Sequence, residues 1–170
     1  MSEQEIVNRV ASSPLKSLDL AELLALEQQA EFDLKDALYM EMIIREKDFR
    51  EFVKNYDWET MRNKWVRIYC SSDAIVPMWA YMLVGIKLNG VAAGYAFGSG
   101  ADLERAMVTA LLERQAEGAS NAKIVVKGCS SLKAPEHAFA EVSRLLGPVV
   151  SSLMYGEPCS TVPIYKAPKK

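Results

Sequence analysis

Each of the three cysteines of the chain is followed by two hydroxyl residues: Cys70-Ser71-Ser72, Cys129-Ser130-Ser131 and Cys159-Ser160-Thr161. A thiolate, not a thiol, is the nucleophile and the metal ligand, and nearby N–H and hydroxyl donors favour that form. Three thiolates brought within a few ångströms would repel one another unless a cation lay between them. If the three converge, the chemistry is therefore a bound metal, zinc or an iron–sulfur cluster. Candidate fourth ligands are Asp73, Glu136, His137 and Glu157. His137, the single histidine, falls in the first turn of a helix, where it also reads as a surface or capping residue. A second reading is a thiol-dependent enzyme with Cys129 or Cys70 as nucleophile and Lys127 as its activator. A third is a non-catalytic interaction protein with structural cysteines, because a free cysteine packs as a small hydrophobe. The long, unequal cysteine spacings match no zinc-finger signature.

The flanking elements say where these thiols stand. "WVRIYC" (65–70), "VAAGYAF" (91–97) and "AKIVVKG" (122–128) are strands by composition. Between them lie two helices, residues 74–88, apolar on nearly all sides, and "ADLERAMVTALLERQ", with Glu104, Arg105, Thr109 and Glu113 toward water. Pro135 opens another helix, broken at Gly147-Pro148. Residues 148–155 continue the helical spacing, with "SSLMY" as a strand the alternative, and "VPIYK" is a last strand. Upstream, residues 1–32 read as irregular with short strand-like pieces, "IVNRV" and "LKSLDL". Asp33 then caps one long helix, about 34–55. The alternation predicts a single α/β domain over residues 1–170. It is three-layered, a mostly parallel sheet with helices on both faces and an antiparallel edge strand. Cys70 and Cys129 follow strands at the carboxyl edge, where open α/β sheets bind ligands. Cys70 and Cys129 share a site most easily if the strands at 65–70 and 122–127 are neighbours, and these are expected to pair directly and in parallel.

Composition narrows the classes. The chain has 170 residues, 20 Lys and Arg against 22 Asp and Glu, and a pI near 5.6. That charge balance argues against nucleic acid as a partner. The most apolar stretch, 74–86, is too short to span a bilayer and contains Pro77, so no membrane is expected. The first residues lack the basic and apolar regions of a signal peptide, and a cytoplasmic setting follows, in which cysteines stay reduced. "GSGADLE" (98–104) has neither P-loop nor dinucleotide spacing and reads as a turn. The apolar helix at 74–88 is a candidate homodimer surface.

The segments "VNRV", "REKDFREFVKNYDW", "CSSDAIVPMWAYM", "VVKGCSS" and "MYGEPCSTVPIYK" together resemble the bacterial domain-of-unknown-function family 2480. The resemblance covers nearly the whole chain, and the cysteine-bearing segments are its most specific part. It implies that the Cys-Ser-[Ser/Thr] segments mark a site. It also implies an association with iron–sulfur assembly, whose proteins become candidate partners. It implies no particular reaction.

Overall fold

The computed structural model describes residues 15–128 and 131–168. "IVNRV" and Cys129 therefore lie outside the described residues. The elements are β1 (Leu15–Asp19), α1 (Leu20–Ala25), β2 (Gln29–Asp33), α2 (Glu46–Asn55), β3 (Trp65–Tyr69), α3 (Met78–Leu88), β4 (Gly94–Phe97), α4 (Gly100–Glu117), β5 (Lys123–Lys127), α5 (Pro135–Leu146), β6 (Ser152–Glu157) and β7 (Ser160–Lys166). The fold is mixed α/β, with parallel strand pairs throughout except for the antiparallel edge pair β6–β7. No helix among the described residues is long and apolar enough to cross a membrane.

The strands form two sheets, ordered β1-β5-β6-β7 and β2-β3-β4. The expected direct pairing of the strands at 65–70 and 122–127 is therefore corrected: β3 and β5 belong to different sheets. The partners that displaced it come from the N-terminal segment: β1 is the strand-like "LKSLDL", and β2 lies in the stretch that reads as irregular. β1 pairs with β5 and β2 with β3, each in parallel, and β4 takes the other side of β3. The chain divides accordingly into two compact units, Leu24–Met107 and Met1–Leu23 with Val108–Lys170.

The two units repeat one design. Trp65 pairs with Gly94 in one sheet and Lys123 with Ser152 in the other, and the registers keep the same offset of 58 positions to Ile68–Phe97 and Val126–Tyr155. The turns agree as closely. Asn63 and Asn121, with φ of 58° and 56°, donate their N–H groups to Val91 O and Val149 O, each at 2.9 Å. Gly98 and Gly156 close the last strands with φ of 116° and 115°. Buried side chains fall at the same places: Val53, Val66, Ile68, Ala80, Val84 and Leu88 in one unit, Leu111, Ile124, Val126, Ala138, Val142 and Leu146 in the other. This pattern packs the helix between two parallel strands onto the sheet. "CSSDAIVPMWAYMLVGIKL" and "CSSLKAPEHAFAEVSRLL" are the two copies of that segment.

Three local expectations are corrected. The long helix at 34–55 is a single 3-10 turn, Leu34–Ala37, followed only at Glu46 by α2. Asp33 does cap, accepting from the Lys35 N–H, but Met40 and Glu41 with positive φ interrupt the helical path. Residues 148–155 do not continue as a helix. Ser151 donates its N–H to Ala122 O, and from Ser152 the chain pairs along β5. Ladder bonds to an open strand edge outweighed the helical spacing. Glu104, placed toward water by periodicity, is buried on α4.

Candidate functional site

β3 buries alternate residues Val66 and Ile68, and Cys70 continues that row one step past the strand. Its thiol is half-buried, with Sγ 3.4 Å from Ser72 O, to which it donates. Asp33, at the end of neighbouring β2, holds the segment in place. Its Oδ1 accepts the N–H of Ser71 at 3.0 Å and that of Lys35 at 3.0 Å. Burial pushes the Asp33 carboxyl up, but the bonds from Ser71 and Lys35 prevail and leave it below the ordinary carboxylate value. Ser72 in turn donates its hydroxyl to Glu41 O at 3.0 Å. The Cys-Ser-Ser segment is thus pinned at two of its three residues.

The Cys70 side chain lines a groove of about 980 Å³ at the carboxyl ends of β3 and β4. Tyr81, Met78, Met82, Gly85 and Ile86 of α3 form one wall, and Tyr95, Phe97 and Gly98 form the other. The rings of Tyr81 and Phe97 meet edge-on at 5.2 Å, and those of Tyr95 and Phe97 at 5.9 Å. Burial raises the Tyr81 phenol above its ordinary value, with the nearby Cys70 adding to the effect. A concave, mostly apolar space with a few convergent polar groups is the usual form of a small-molecule site.

The other sheet places different groups at its carboxyl edge. Lys127, ending β5, holds its Nζ 3.6 Å from Asp19 Oδ2 and 3.9 Å from Glu157 Oε2. Asp19 ends β1 and also caps the following turn, accepting from the N–H groups of Ala21 and Glu22. The Lys127 ammonium is thus engaged by two carboxylates. Cys159 is exposed, in the two-residue turn between β6 and β7. β6 runs parallel to β5, so that turn lies at the edge where β5 ends. The expected antiparallel exit of the last strand is present, although a strand and not a helix carries the chain there. The offset of 58 sets Gly128 opposite Cys70, and Cys129, one residue later, lies outside the described residues.

Among the described residues, no group of three or more His, Cys, Asp or Glu side chains is arranged to hold a metal ion. Asp73, Glu136 and Glu157 are exposed. His137 Nε2 lies 3.4 Å from Thr109 Oγ1, and that hydroxyl donates to Glu141 Oε2 at 3.0 Å. Arg144 completes this cluster with a two-pronged pair to Glu141 at 2.8 and 2.7 Å. The Arg144 guanidinium, helped by Thr109 and His137 and opposed by burial, lowers the Glu141 pKa from 4.5 to about 2. A depressed carboxylate contributes stability above its unfolded value, and loses it as the pH falls toward the folded one. Glu141→Gln should therefore cost about 1 kcal/mol at pH 7, a figure discounted because Arg144 is largely solvated. In urea titrations the gap from the parent should close between pH 4.5 and about 2. An unchanged gap at low pH would rule out this pairing as its source.

"GSGADLE" is a self-capped helix start. Ser99 donates both its N–H and its hydroxyl to Asp102 Oδ2, at 2.7 and 2.6 Å. The carboxylate is Asp102's own, as in a capping box.

The Cys-Ser-[Ser/Thr] segments, the paired strands and the terminal hairpin all fall within one family model, which matches residues 4–167. The chain belongs to the DUF2480 family, described as proteins of unknown function. No curated protein and no solved structure matches the chain. Family membership spans both units and therefore both copies of the repeat. Local patterning marked Asp33 as a cap but did not mark the groove walls Tyr81, Tyr95 and Phe97 or the anchor Asp19. The signal that could have found the walls is the second run of Pro, Ala, an aromatic, Val and Leu at the same spacing, each run preceded by Cys-Ser-Ser.

Proposed function

We propose that the protein binds a compact, mostly apolar small molecule in the α3–β4 groove, against the thiol of Cys70. The observation that carries this reading is the half-buried Cys70 at the end of a groove of about 980 Å³ with aromatic walls. The thiol, the Ser72 hydroxyl and the Tyr81 phenol would orient the ligand, while the rings and methionines exclude water. A cytoplasmic, reducing setting would keep that thiol free. The test is alkylation of the full chain by iodoacetamide, read by mass spectrometry at each cysteine, with and without an anilinonaphthalene dye. The dye should slow modification of Cys70 by about tenfold, the effect of a site about 90% occupied. The exposed Cys159 should react at an unchanged rate and serves as the internal control. Equal rates at Cys70 with and without dye would sink the reading.

A second reading makes the cysteines thiolate ligands of zinc or an iron–sulfur cluster, with Asp73 or His137 as a further ligand. Two features favour it: the repeated motif, and the position of Cys159 at the edge where β5 leads into Cys129. Iron–sulfur assembly proteins would then be its natural partners. Anaerobic purification with metal analysis decides it. One equivalent of metal or cluster, lost in each single Cys→Ser variant, is the expected result; a metal-free protein would end it.

A further inference from the structure

The two copies of the repeat differ at one edge. In the Val108–Lys170 part of the chain, β6 is followed by β7, which pairs with it antiparallel. Ile164 of β7 lines a groove together with Phe139, Ser143, Leu153 and Tyr155. The counterparts of those four residues are Tyr81, Gly85, Tyr95 and Phe97, all of which line the Cys70 groove. There, no strand among the described residues corresponds to β7, and β4 ends its sheet. Gly98 donates its N–H to Ile68 O at 2.9 Å. Alternation along the strand then turns the N–H and C=O groups of Tyr95 and Phe97 toward the open edge.

The helix beside that edge differs in the same sense. Met78, Met82 and Ile86 of α3 form a stripe 72%, 71% and 67% exposed, and Ile75, just before the helix, is 84% exposed. Their counterparts in the copy that β7 covers are Glu136, Ala140, Arg144 and Lys133. The same position in the fold is thus polar where the edge is covered and apolar where it is open. Four large apolar side chains without a charge among them suit a surface that is buried in use.

We propose that β4 and α3 form a twofold interface with a second copy of this chain. β4 would pair antiparallel with its twin, as β7 pairs with β6, and join two three-stranded sheets into one. A twofold axis at the edge makes a strand antiparallel to its own image, so one surface serves both partners. The helix spacing also fits. A helix connecting β3 to β4 packs over those two strands, and its image lies two strand spacings away. That is about 10 Å, the distance at which helices pack side by side. The Met78, Met82 and Ile86 side chains of each copy would fill the space between the helices. A second copy meets the stripe with the same uncharged chemistry, which a polar partner would not. The interface shares Met78, Met82, Ile86, Tyr95 and Phe97 with the groove of the proposed ligand, so the second copy would close that groove's open side.

The test is the mass of the full-length protein in solution by light scattering, with amide hydrogen exchange as a second readout. The expected mass is twice 18.9 kDa. Met82→Asp combined with Ile86→Asp should give the monomer, with its far-UV circular dichroism unchanged because both positions are exposed. Ala140→Asp, at the counterpart of Met82, should leave the dimer intact. The Tyr95 and Phe97 amides should exchange at least tenfold more slowly in the parent than in the monomeric variant. A monomeric parent overturns the proposal, and so does a dimer that survives the paired aspartates. A dimer in which these two amides stay unprotected overturns the β4 pairing.

Discussion

Gly94→Ala is expected to destabilise the protein by about 3 kcal/mol, the upper part of the range for forcing one extra group into a packed site. A Cβ built at Gly94 would stand 2.2 Å from Cζ3 of Trp65 and under 3 Å from two further ring atoms. The ring has little freedom to retreat. Trp65 is buried, and its indole N–H donates to Glu27 Oε2 at 3.0 Å. The two residues are register partners on β3 and β4, so the contact runs across adjacent strands. The other copy of the repeat supplies the comparison. There the pair is Lys123 and Ser152, and with no indole at the first position a side chain is accommodated at the second. A double-mutant cycle follows directly. Trp65→Ala alone should cost about 3–5 kcal/mol, but the added cost of Gly94→Ala in that background should fall by about 2 kcal/mol. Urea midpoints of the four proteins measure it. If the two losses simply add, the ring is not what Gly94 makes room for.

Gly128→Ala should be nearly as damaging, at about 3 kcal/mol, from backbone strain and a steric conflict together. Gly128 has φ of +98°, and a Cβ there would meet Asp19 Oδ1 at 2.4 Å and the backbone nitrogens of Ala21 and Leu20 at 2.9 and 3.1 Å. The nitrogens belong to the capped turn that follows β1 and cannot move without breaking the cap. Gly98→Ala is the useful control. Its φ of +116° imposes similar strain, but the Cβ would meet only the Asp102 carboxylate, a side-chain end whose retreat gives up the bonds from Ser99 without displacing backbone atoms. Gly128→Ala should therefore lower the unfolding midpoint more than Gly98→Ala. The reverse order would mean that the β1 turn yields easily and that backbone strain alone sets the cost.

The offset of 58 sets Cys70 opposite Gly128, so the two copies treat the end of the middle strand differently. In one, a thiol points into a groove and the adjacent Asp33 carboxylate receives the next N–H. In the other, the Asp19 carboxylate fills the space where a side chain would go, and the cysteine comes one residue later. The repeated Cys-Ser-Ser motif thus stands on a repeated strand-to-helix junction with a one-residue shift. That shift puts a thiol after β3 at the position where the other copy has Gly128.

Much of this was legible before any coordinates. Local periodicity placed α3, α4, α5, β3 and β5, because each buries one face or stripe through contacts that its own spacing encodes. The strand-to-loop position of Cys70, the break at Gly147-Pro148, the last antiparallel strand and the family were also readable from the residues alone. Partnership was not. A parallel strand carries no mark of its neighbour, since ladder bonds run between backbone groups that every residue has. Only the tertiary structure could send β3 and β5 to separate sheets, join the strand-like "LKSLDL" to β5 and draw β2 from a stretch that reads as irregular. The same holds for residues 152–157, whose helical spacing yields to the open edge of β5. The Cys70 groove was decided at that level too. Its walls come from α3 and β4, brought together by the β3–α3–β4 crossover, and no local pattern records which side chains will face one another across it.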